Sequence, residues 1–330
     1  MNYPPRNVSS LPAAVQLVPA RVRGEVANRL MVILRAPGCA YDRRAPGGCT
    51  FCSFRRLTTH GIHVTASDLI TQTDAALAGR DFIRERIFEI DLYNSGSFFN
   101  DDEIPSEARV SIVARCAREP AVQVVLVESR PEYITAHRIA DLYQVVLRLR
   151  KSLTIEVGIG LESVNDTIRE IGLNKGFSRK AFERAVSILG ETGADLLAYV
   201  LLKPLPMSDR EAIDEAYRTA EYVHEIATRH GVRARIALES TFVVPGTPLA
   251  DAFANGSYRP PSLWSVLETT RKIAPLGDLV VGLSDEGLQP LVVPDSCLVC
   301  HDRIVTALRR FNVTQAPAEL NIAKCECSYS

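Results

Sequence analysis

Residues 35–56 read RAPGCAYDRRAPGGCTFCSFRR, a segment with three cysteines and no periodic apolar pattern. Cys49 and Cys52 are separated by two residues, so one tight turn can present both thiolates to a single centre. Cys39 can fold back from upstream because glycine bends freely; the glycines concerned are Gly38, Gly47 and Gly48. The segment therefore predicts a metal site with three thiolate ligands.

The cysteines follow a short apolar run, residues 30–34, which is typical of a buried strand. Parallel α/β barrels place their chemistry just beyond the carboxyl ends of such strands. A structural zinc or a closed electron-transfer cluster would use four thiolates, so three leave one position open. At this point two interpretations stand: an open, reactive iron site, or a zinc-binding or disulfide loop.

Length and composition bound the architecture. The chain has 330 residues, of which 46% are hydrophobic, enough to bury one barrel-sized domain with a small appendage. We predict a lead-in at 1–28, a barrel at 29–290 and a metal-binding extension at 291–330. Lys and Arg (38) nearly balance Asp and Glu (39), so the net charge of −1 provides no global field that would attract nucleic acid.

Cellular location is predicted from apolar runs and cysteines. The longest apolar runs are only strand-sized, and the first 30 residues lack a cationic end followed by a clean apolar core. The eight cysteines are clustered, which favours reduced metal ligands over secreted disulfides. We therefore expect a cytoplasmic protein without membrane contact.

Strand and helix signals alternate along the chain. The predicted strands are 30–34, 87–93, 122–127, 153–160, 195–202 and 235–244, with a further strand-like segment at 278–283. The predicted helices are 66–78, 106–118, 135–150, one that restarts at Ser178, 208–230 and 303–311. This alternation predicts an α/β fold, a partial (β/α)6 TIM-like barrel with a small cysteine-rich C-terminal extension.

Several predicted strands end in polar or small residues. After 87–93 comes a turn whose amides and hydroxyls can bind a charged amino-acid group; it consists of Asn94, Ser95, Gly96 and Ser97. Glu128 and Arg130 follow the next strand, where an acid and an arginine can grip a ribose hydroxyl and a carboxylate. A plain strand–helix loop is the alternative for the turn, and a surface ion pair is the alternative for Glu128 and Arg130.

The later strands add further candidates. Gly158 and Gly160 near the end of the fourth strand allow a ligand or another backbone to approach closely, and Glu162 and Ser163 follow. Lys203 at the end of the fifth strand and Glu239 in the sixth could reach a substrate. A buried Lys–Glu pair that holds the two strands together is an equal alternative.

Taken in order, these motifs resemble the radical SAM enzymes. The resemblance spans residues 30–290, and its nine-residue gap between Cys39 and Cys49 is similar to the branch that contains the elongator catalytic subunit and the radical SAM subunit of archaeosine synthesis. Gly-Leu-Glu-Ser at 160–163, Asn-Lys-Gly-Phe at 174–177 and Leu-Leu-Lys-Pro at 201–204 resemble the archaeosine subunit in particular.

The resemblance implies a [4Fe-4S] cluster on Cys39, Cys49 and Cys52, and S-adenosylmethionine (SAM) bound to its open iron. By resemblance, Phe51 lies beside the adenine and the turn at 94–97 holds the amino group of SAM. The further SAM contacts implied are Glu128, Arg130, Gly160, Glu162 and Ser163. The reduced cluster of such enzymes cleaves SAM to methionine and a 5'-deoxyadenosyl radical that abstracts hydrogen.

By the same resemblance, the reaction is C–N cleavage of a lysine adduct on a deazaguanine base in transfer RNA. A partner enzyme that attaches the lysine, and an external electron donor of the flavodoxin or ferredoxin type, are then expected. RNA binding would need local cations, such as Arg55, Arg56, Arg148, Arg150 and Lys151. The alternatives are a radical SAM enzyme acting on a small metabolite or natural-product precursor, and a non-catalytic iron-sulfur or zinc-binding protein.

The tail carries a second metal signal. Cys297 and Cys300 form a CxxC pair, and Cys325 and Cys327 form a CxC pair about two dozen residues later. Two such pairs can make a tetrahedral four-sulfur site that stabilises a tail with no core of its own. Zinc, a second iron-sulfur cluster, and unligated or disulfide-bonded cysteines all remain open. Of the remaining candidates, Cys116 is predicted to be a buried apolar residue, and His301 a bystander rather than a ligand.

Overall fold

In the part of the chain that the structure describes, eight strands form one sheet in the order β1-β2-β3-β4-β5-β6-β7-β8. The structure is a computed structural model that describes residues 10–44, 48–149, 151–283 and 288–329. The strands are β1 (Ala14–Val22), β2 (Glu25–Ile33), β3 (Ile87–Tyr93), β4 (Val124–Glu128), β5 (Thr154–Glu162), β6 (Asp195–Leu202), β7 (Ala234–Ser240) and β8 (Asp278–Gly282). β2 to β5 pair in parallel, as do β7 and β8. The predicted α/β fold with a partial TIM-like barrel is confirmed.

Two residues and one side chain named in the sequence analysis lie outside the part of the chain that the structure describes. Gly47 and Arg150 lie outside the described residues, and so does the side chain of Arg56. In the cysteine loop, the structure describes residues 35–44 and 48–56.

The segment before the barrel contains a strand that the sequence does not predict. β1 pairs antiparallel with β2, from Ala14 opposite Ile33 to Val22 opposite Glu25. The two residues of the turn, Arg23 and Gly24, have φ values of 50° and 88°, as a type I' hairpin requires. Pro19 obscures the strand signal; proline is tolerated there because β1 lies at the edge of the sheet.

Nine α-helices are found in the described part of the chain. They are α1 (Ala40–Arg43), α2 (Ala66–Leu77), α3 (Ser106–Arg118), α4 (Ala136–Arg148), α5 (Arg179–Thr192), α6 (Asp209–Arg229), α7 (Pro248–Ala254), α8 (Leu263–Ile273) and α9 (His301–Thr314). α2 and α6 begin at capping boxes, Thr65 with Asp68 and Ser208 with Glu211. These caps explain why both helices begin within one residue of the predicted position.

One predicted strand is shorter than expected. β7 ends at Ser240, whereas the sequence predicts a strand to residue 244. Val243 leaves the parallel sheet and pairs with Val292 instead, and its amide donates a hydrogen bond to the Val292 carbonyl at 2.9 Å. The apolar run thus continues into a different pairing, which periodicity alone does not reveal.

The outer edge of β8 is covered by side chains of α9. Asn312 accepts a hydrogen bond from the Val281 amide at 2.8 Å and donates one to the Val281 carbonyl at 2.9 Å. Gln315 makes the same two-way contact with the backbone of Leu279, at 3.1 and 2.7 Å. These amides satisfy backbone groups that an open sheet edge would leave available for pairing with another chain.

The chain divides into two compact units. The first comprises Met1–Gly48, Phe54–Ile159 and Arg184–Leu196, and the second comprises Cys49–Ser53, Gly160–Glu183 and Leu197–Ser330. Leu30, Ile90 and Leu126 are fully buried in the first unit, and Val200 and Leu238 in the second. Among the described residues, no helix is both long enough and apolar enough to cross a membrane.

Candidate functional site

The first cysteine of the loop lies directly after β2, at the start of the short helix α1. The Cys39 amide donates to the Ser95 carbonyl at 3.1 Å. Gly38 has a φ of 89°, and a Cβ added there would lie 2.8 Å from Thr58 Cγ2, so this turn requires glycine. Burial, reinforced by the carboxylate of Glu103, raises the pKa of the Cys39 thiol.

Glu103 connects the cysteine loop to the turn at 94–97, although the sequence gives no sign of this role. Its carboxylate is 1% exposed and accepts hydrogen bonds from the amide of Ala40 at 2.8 Å and from the amide of Ser97. The side chains of Asn100 and Asn94 donate to it as well, at 2.8 and 3.4 Å. Glu103 follows two other acids, Asp101 and Asp102, and no local pattern separates it from them.

The turn at 94–97 has features that suit a ligand with an ammonium group. Asn94 Oδ1 is buried and has no hydrogen-bond partner among the described residues. An unsatisfied buried acceptor is costly, and a bound donor would remove that cost. A Cβ on Gly96 would overlap the Glu103 carboxylate, and Ser95 has a φ of 53°. The conformation of this turn is therefore tightly constrained, and Asn94 Oδ1 is the acceptor that it leaves available.

The candidates after β4 are arranged as follows. The Glu128 carbonyl accepts a hydrogen bond from the Phe98 amide at 2.7 Å, and the Arg130 amide donates to Ser97 Oγ at 3.2 Å. The Arg130 guanidinium lies 4.0 Å from the centre of the Tyr41 ring and pairs with Glu132 at 2.6 Å. Arg130 is 8% exposed, whereas the side chain of its partner Glu132 is 41% exposed.

In the second unit, a tight turn presents the CxxC pair of the loop. The Cys52 amide donates to the Cys49 carbonyl at 3.2 Å. Thr50 ties the turn to the segment after β5, because its amide donates to the Leu173 carbonyl at 3.0 Å and its hydroxyl to the Gly172 carbonyl at 2.9 Å. Cys49 and Cys52 are both half-buried.

A buried ion pair lies beside Phe51. Lys175 Nζ is 3.0 Å from Glu162 Oε1 and lies 5.4 Å from the ring centre of Phe51 and 5.6 Å from that of Phe177. Burial raises the pKa of Glu162, and Lys175 opposes that rise. A Cβ on Gly160 would overlap the Glu162 carboxylate. Lys175 belongs to the Asn-Lys-Gly-Phe run, which is visible in the sequence, but its pairing with Glu162 is not.

Ser163, the last of the predicted SAM contacts, has an observed structural partner. Its hydroxyl lies 2.5 Å from Glu215 Oε1 on α6. Arg169, which is fully buried, donates to the carbonyls of Ser163 and Val164 from the π-helical turn Thr167–Gly172. Hydrogen bonds with both Glu215 and Arg169 therefore hold the segment after β5 in place.

The candidate substrate residues also have defined surroundings. Lys203 Nζ pairs with Asp209 Oδ1 at 2.5 Å, and the Lys203 carbonyl accepts a hydrogen bond from the Tyr258 hydroxyl at 2.9 Å. The Glu239 carboxylate packs so closely against Gly282 that an added Cβ there would overlap it. The sequence suggests Glu239 as a partner for Lys203, whereas the ion pair observed for Lys203 is with Asp209.

Backbone conformation marks the ends of three strands. Ser95, Glu162 and Lys203, three of the nine non-glycine residues with positive φ in the described part of the chain, have φ values of 53°, 66° and 58°. Such values are uncommon for residues other than glycine, and they cluster at functional sites where the surrounding structure enforces them. They occur after β3, at the last residue of β5 and directly after β6, where the sequence places candidate ligand-binding turns.

The four tail cysteines lie together. Their sulfur atoms are all within 4.8 Å of one another. The Sγ–Sγ distances are 3.4 Å between Cys327 and Cys297, 3.8 Å between Cys327 and Cys300, and 3.9 Å between Cys297 and Cys325. His301 Nδ1 contacts Asp295 at 2.6 Å. Cys116 is fully buried in α3, which confirms its prediction as a core residue.

Comparison with known proteins gives the family. No protein-family model matches the chain. Archaeosine synthase subunit beta of Methanosarcina acetivorans is 31% identical over 93% of this chain and 84% of its own length. The protein of the same name from Thermococcus kodakarensis is 28% identical over 93% of this chain and 91% of its own.

Solved structures give the fold. The archaeal Elp3 protein of Methanocaldococcus infernus superimposes with a TM-score of 0.53, at 14% identity, over 74% of this chain and 59% of that one. At 14% identity this likeness shows the fold, an α/β partial barrel. The chain belongs to the archaeosine synthase subunit beta family.

Proposed function

We propose that this protein is a radical SAM lyase that breaks a C–N bond in the lysine adduct of a deazaguanine base in transfer RNA. The observation that carries the proposal is the similarity, over 93% of the chain, to a protein named archaeosine synthase subunit beta. The word "subunit" in that name also supports a complex with a partner, which we propose to be the enzyme that attaches the lysine. An external electron donor of the flavodoxin or ferredoxin type would supply the reducing electron.

The donor set suits the proposed cofactors. Cys39, Cys49 and Cys52 would hold a [4Fe-4S] cluster, because soft thiolates are its usual ligands and three of them leave one iron for SAM. When bound and reduced, the cluster supplies the cleavage of SAM to methionine and the 5'-deoxyadenosyl radical. The remaining steps of binding and orientation fall to the residues of this chain.

In the first unit, the amino-acid part of SAM has two complementary partners. Asn94 Oδ1, buried without a partner among the described residues, would accept a hydrogen bond from the ammonium group. The Arg130 guanidinium, stacked on Tyr41, would pair with the carboxylate, for which its planar donors are suited. Glu103 would position both the Cys39 loop and the Asn94 turn.

In the second unit, Phe51, Gly160 and Glu162 would contact the adenosine. Phe51 offers an aromatic face, and Gly160 leaves its side-chain position free for close approach. The carboxylate of Glu162, fixed by Lys175 at 3.0 Å, is an acceptor for hydroxyl or amino hydrogens. Glu128 and Ser163 complete the proposed set of contacts.

Lys203 and Glu239 are the proposed substrate residues. A lysine ammonium can donate a proton and a glutamate carboxylate can accept one, which are the roles that C–N cleavage requires of side chains. Asp209 holds the ammonium of Lys203 at the end of β6. Lys203 is 7% exposed, so its proton would be shielded from bulk water.

Transfer RNA binding would depend on local cations, because the net charge of the chain is −1. The described candidates are Arg55, Arg148 and Lys151. Arg55 and Arg148 are exposed, and Arg55 pairs with Asp42 at 2.5 Å, so RNA phosphate would compete with that carboxylate. Each phosphate contact releases condensed counterions and makes affinity depend on salt.

The proposal is tested by supplying the protein, SAM and reductant with transfer RNA that carries the lysine adduct, and separately with the free modified base. We expect 5'-deoxyadenosine to rise above the uncoupled background with the RNA only. RNA affinity should fall with rising salt, with a log-log slope of about 0.7 to 0.9 per phosphate contact. Equal stimulation by the free base, or RNA binding that is insensitive to salt, would contradict the proposal and favour a small metabolite as substrate.

A further inference from the structure

The metal of the tail site can be inferred from how closely its four sulfurs lie. The three observed Sγ–Sγ distances range from 3.4 to 3.9 Å, and no pair among the four cysteines exceeds 4.8 Å. Zinc binds thiolate sulfur at about 2.3 Å, so the edges of a ZnS4 tetrahedron are about 3.8 Å long. The observed spacing therefore matches four thiolates around one ion.

The same spacing does not suit a second iron-sulfur cluster. In a [4Fe-4S] cluster each thiolate binds a different iron, so the ligand sulfurs stand farther apart than the edges of a single metal's tetrahedron. In a [2Fe-2S] cluster the thiolates form two pairs on separate irons, which also spreads them. Neither arrangement brings all four sulfurs within 4.8 Å of one another.

We infer that Cys297, Cys300, Cys325 and Cys327 bind a single zinc ion. The site has no position for substrate or water, because four protein thiolates complete the tetrahedron, which is typical of structural zinc. This inference does not depend on the proposed reaction, since it concerns ligands outside the SAM-binding loop.

The surroundings of the sulfurs suit a tetrathiolate centre. Trp264 Nε1 donates a hydrogen bond to Cys327 Sγ at 3.2 Å, and such donors stabilise the negative charge of zinc-bound thiolates. The Cys297 carbonyl accepts hydrogen bonds from the amides of Cys300 and His301 at 2.9 and 3.0 Å. This turn places the CxxC pair directly before α9, where Cys300 is the N-cap residue.

The zinc would fasten the end of the chain to α8. Trp264 lies in the first turn of α8, and the Leu263 amide donates to the Asp295 carbonyl at 2.9 Å. Ser262 and Ser265, in the same turn, donate to Asp209, the partner of Lys203. The zinc site is therefore continuous, through α8, with the ion pair at the end of β6.

Metal analysis of the full chain tests the inference. The Cys39→Ala, Cys49→Ala, Cys52→Ala triple variant, purified anaerobically, should retain one zinc ion per chain and no stoichiometric iron or sulfide. Replacing zinc by Co²⁺ in that variant should give the visible absorption bands of a tetrahedral tetrathiolate centre. Stoichiometric iron in the triple variant, with or without acid-labile sulfide, or loss of all metal from a folded variant, would overturn the inference.

Two further variants remain informative even if the triple variant, which lacks the three cysteines of the loop, does not fold. Trp264→Phe keeps an aromatic ring at this position but removes the N–H donor, so zinc affinity measured against a chelator should fall roughly tenfold. Cys116→Ala removes a buried thiol that is not part of the site, and its zinc content should be unchanged. Unchanged zinc affinity in Trp264→Phe, or loss of zinc in Cys116→Ala, would count against the assigned ligands.

Discussion

The carboxylate of Glu103 accepts a hydrogen bond from the amide of Ala40, 63 residues away in the sequence, at 2.8 Å. Ala40 directly follows Cys39, the first cysteine of the loop. The same carboxylate accepts the Ser97 amide. One buried acid thus joins the backbone beside a proposed cluster ligand to the turn that would hold the amino group of SAM.

The first prediction follows from that contact. Glu103→Gln should lower the free energy of unfolding by about 1–3 kcal/mol, because the glutamine NH2 group would face backbone or side-chain donors and leave them unsatisfied. SAM cleavage should fall as the loop and the turn lose their common acceptor. Thermal unfolding and 5'-deoxyadenosine release measure the two effects. Glu107→Gln, an exposed change in the first turn of α3, is the matched control, and equal behaviour of the two variants would disprove the role of Glu103.

The second prediction concerns pH and the pair of Glu162 and Lys175. Burial raises the folded-state pKa of Glu162 above its ordinary value of 4.5, so its contribution to stability is fully present below that value and is lost as pH rises through the raised pKa. Lys175 limits the rise. In Lys175→Met the pKa of Glu162 should be higher still, so the stability deficit of the variant should grow between about pH 5 and about pH 8.

Chemical denaturation at several pH values measures that deficit. The double variant Lys175→Met, Glu162→Gln has no carboxylate to bury, so its deficit should vary little with pH. A deficit in Lys175→Met that is constant with pH would show that the two side chains are not coupled as the structure indicates.

The third prediction compares two Lys–Asp pairs. Lys203 and Asp209 have side chains that are 9% and 33% exposed, whereas those of Lys272 and Asp214 are 41% and 45% exposed. Lys203→Met should cost about 1–3 kcal/mol, because it removes the cation from a partly buried carboxylate that keeps its hydrogen bonds from Ser262 and Ser265. Lys272→Met should cost about 0–1 kcal/mol.

Activity separates the role of Lys203 in chemistry from its role in stability. If Lys203 contacts the substrate, SAM cleavage without substrate should persist in Lys203→Met at a temperature where the variant is folded, while product formation is lost. If the Lys203→Met variant forms product at the normal rate, Lys203 is not a residue that acts on the substrate.

The fourth prediction concerns the cysteine loop. Cys49→Ala should abolish release of 5'-deoxyadenosine, because two thiolates do not hold the proposed cluster. Cys116→Ala should retain it, since the Cys116 thiol is fully buried in α3 and burial raises its pKa to about 12. Cleavage of SAM by Cys49→Ala at the normal rate would show that the cluster is bound elsewhere.

The sequence predicts most secondary-structure elements because their signals are local. The alternating pattern of β3, and the caps Thr65 and Ser208, act within a few residues of the element that they define. The strand β1 is missed because Pro19 interrupts its pattern, and the end of β7 because an apolar run does not specify its partner.

For the candidate site, the sequence alone determined the residue types and their spacing: three cysteines after a strand, four more in the tail, and the small-residue turn at 94–97. Only the tertiary structure decided that Glu103 supports the loop, that Lys175 pairs with Glu162, and that Asp209 holds Lys203. It also brought the four tail sulfurs to the spacing of one zinc ion. The spacing of residues along the chain determines which ligands a turn can present. A buried charge needs a partner, and that partner is the group that the packing of distant segments brings within hydrogen-bond distance.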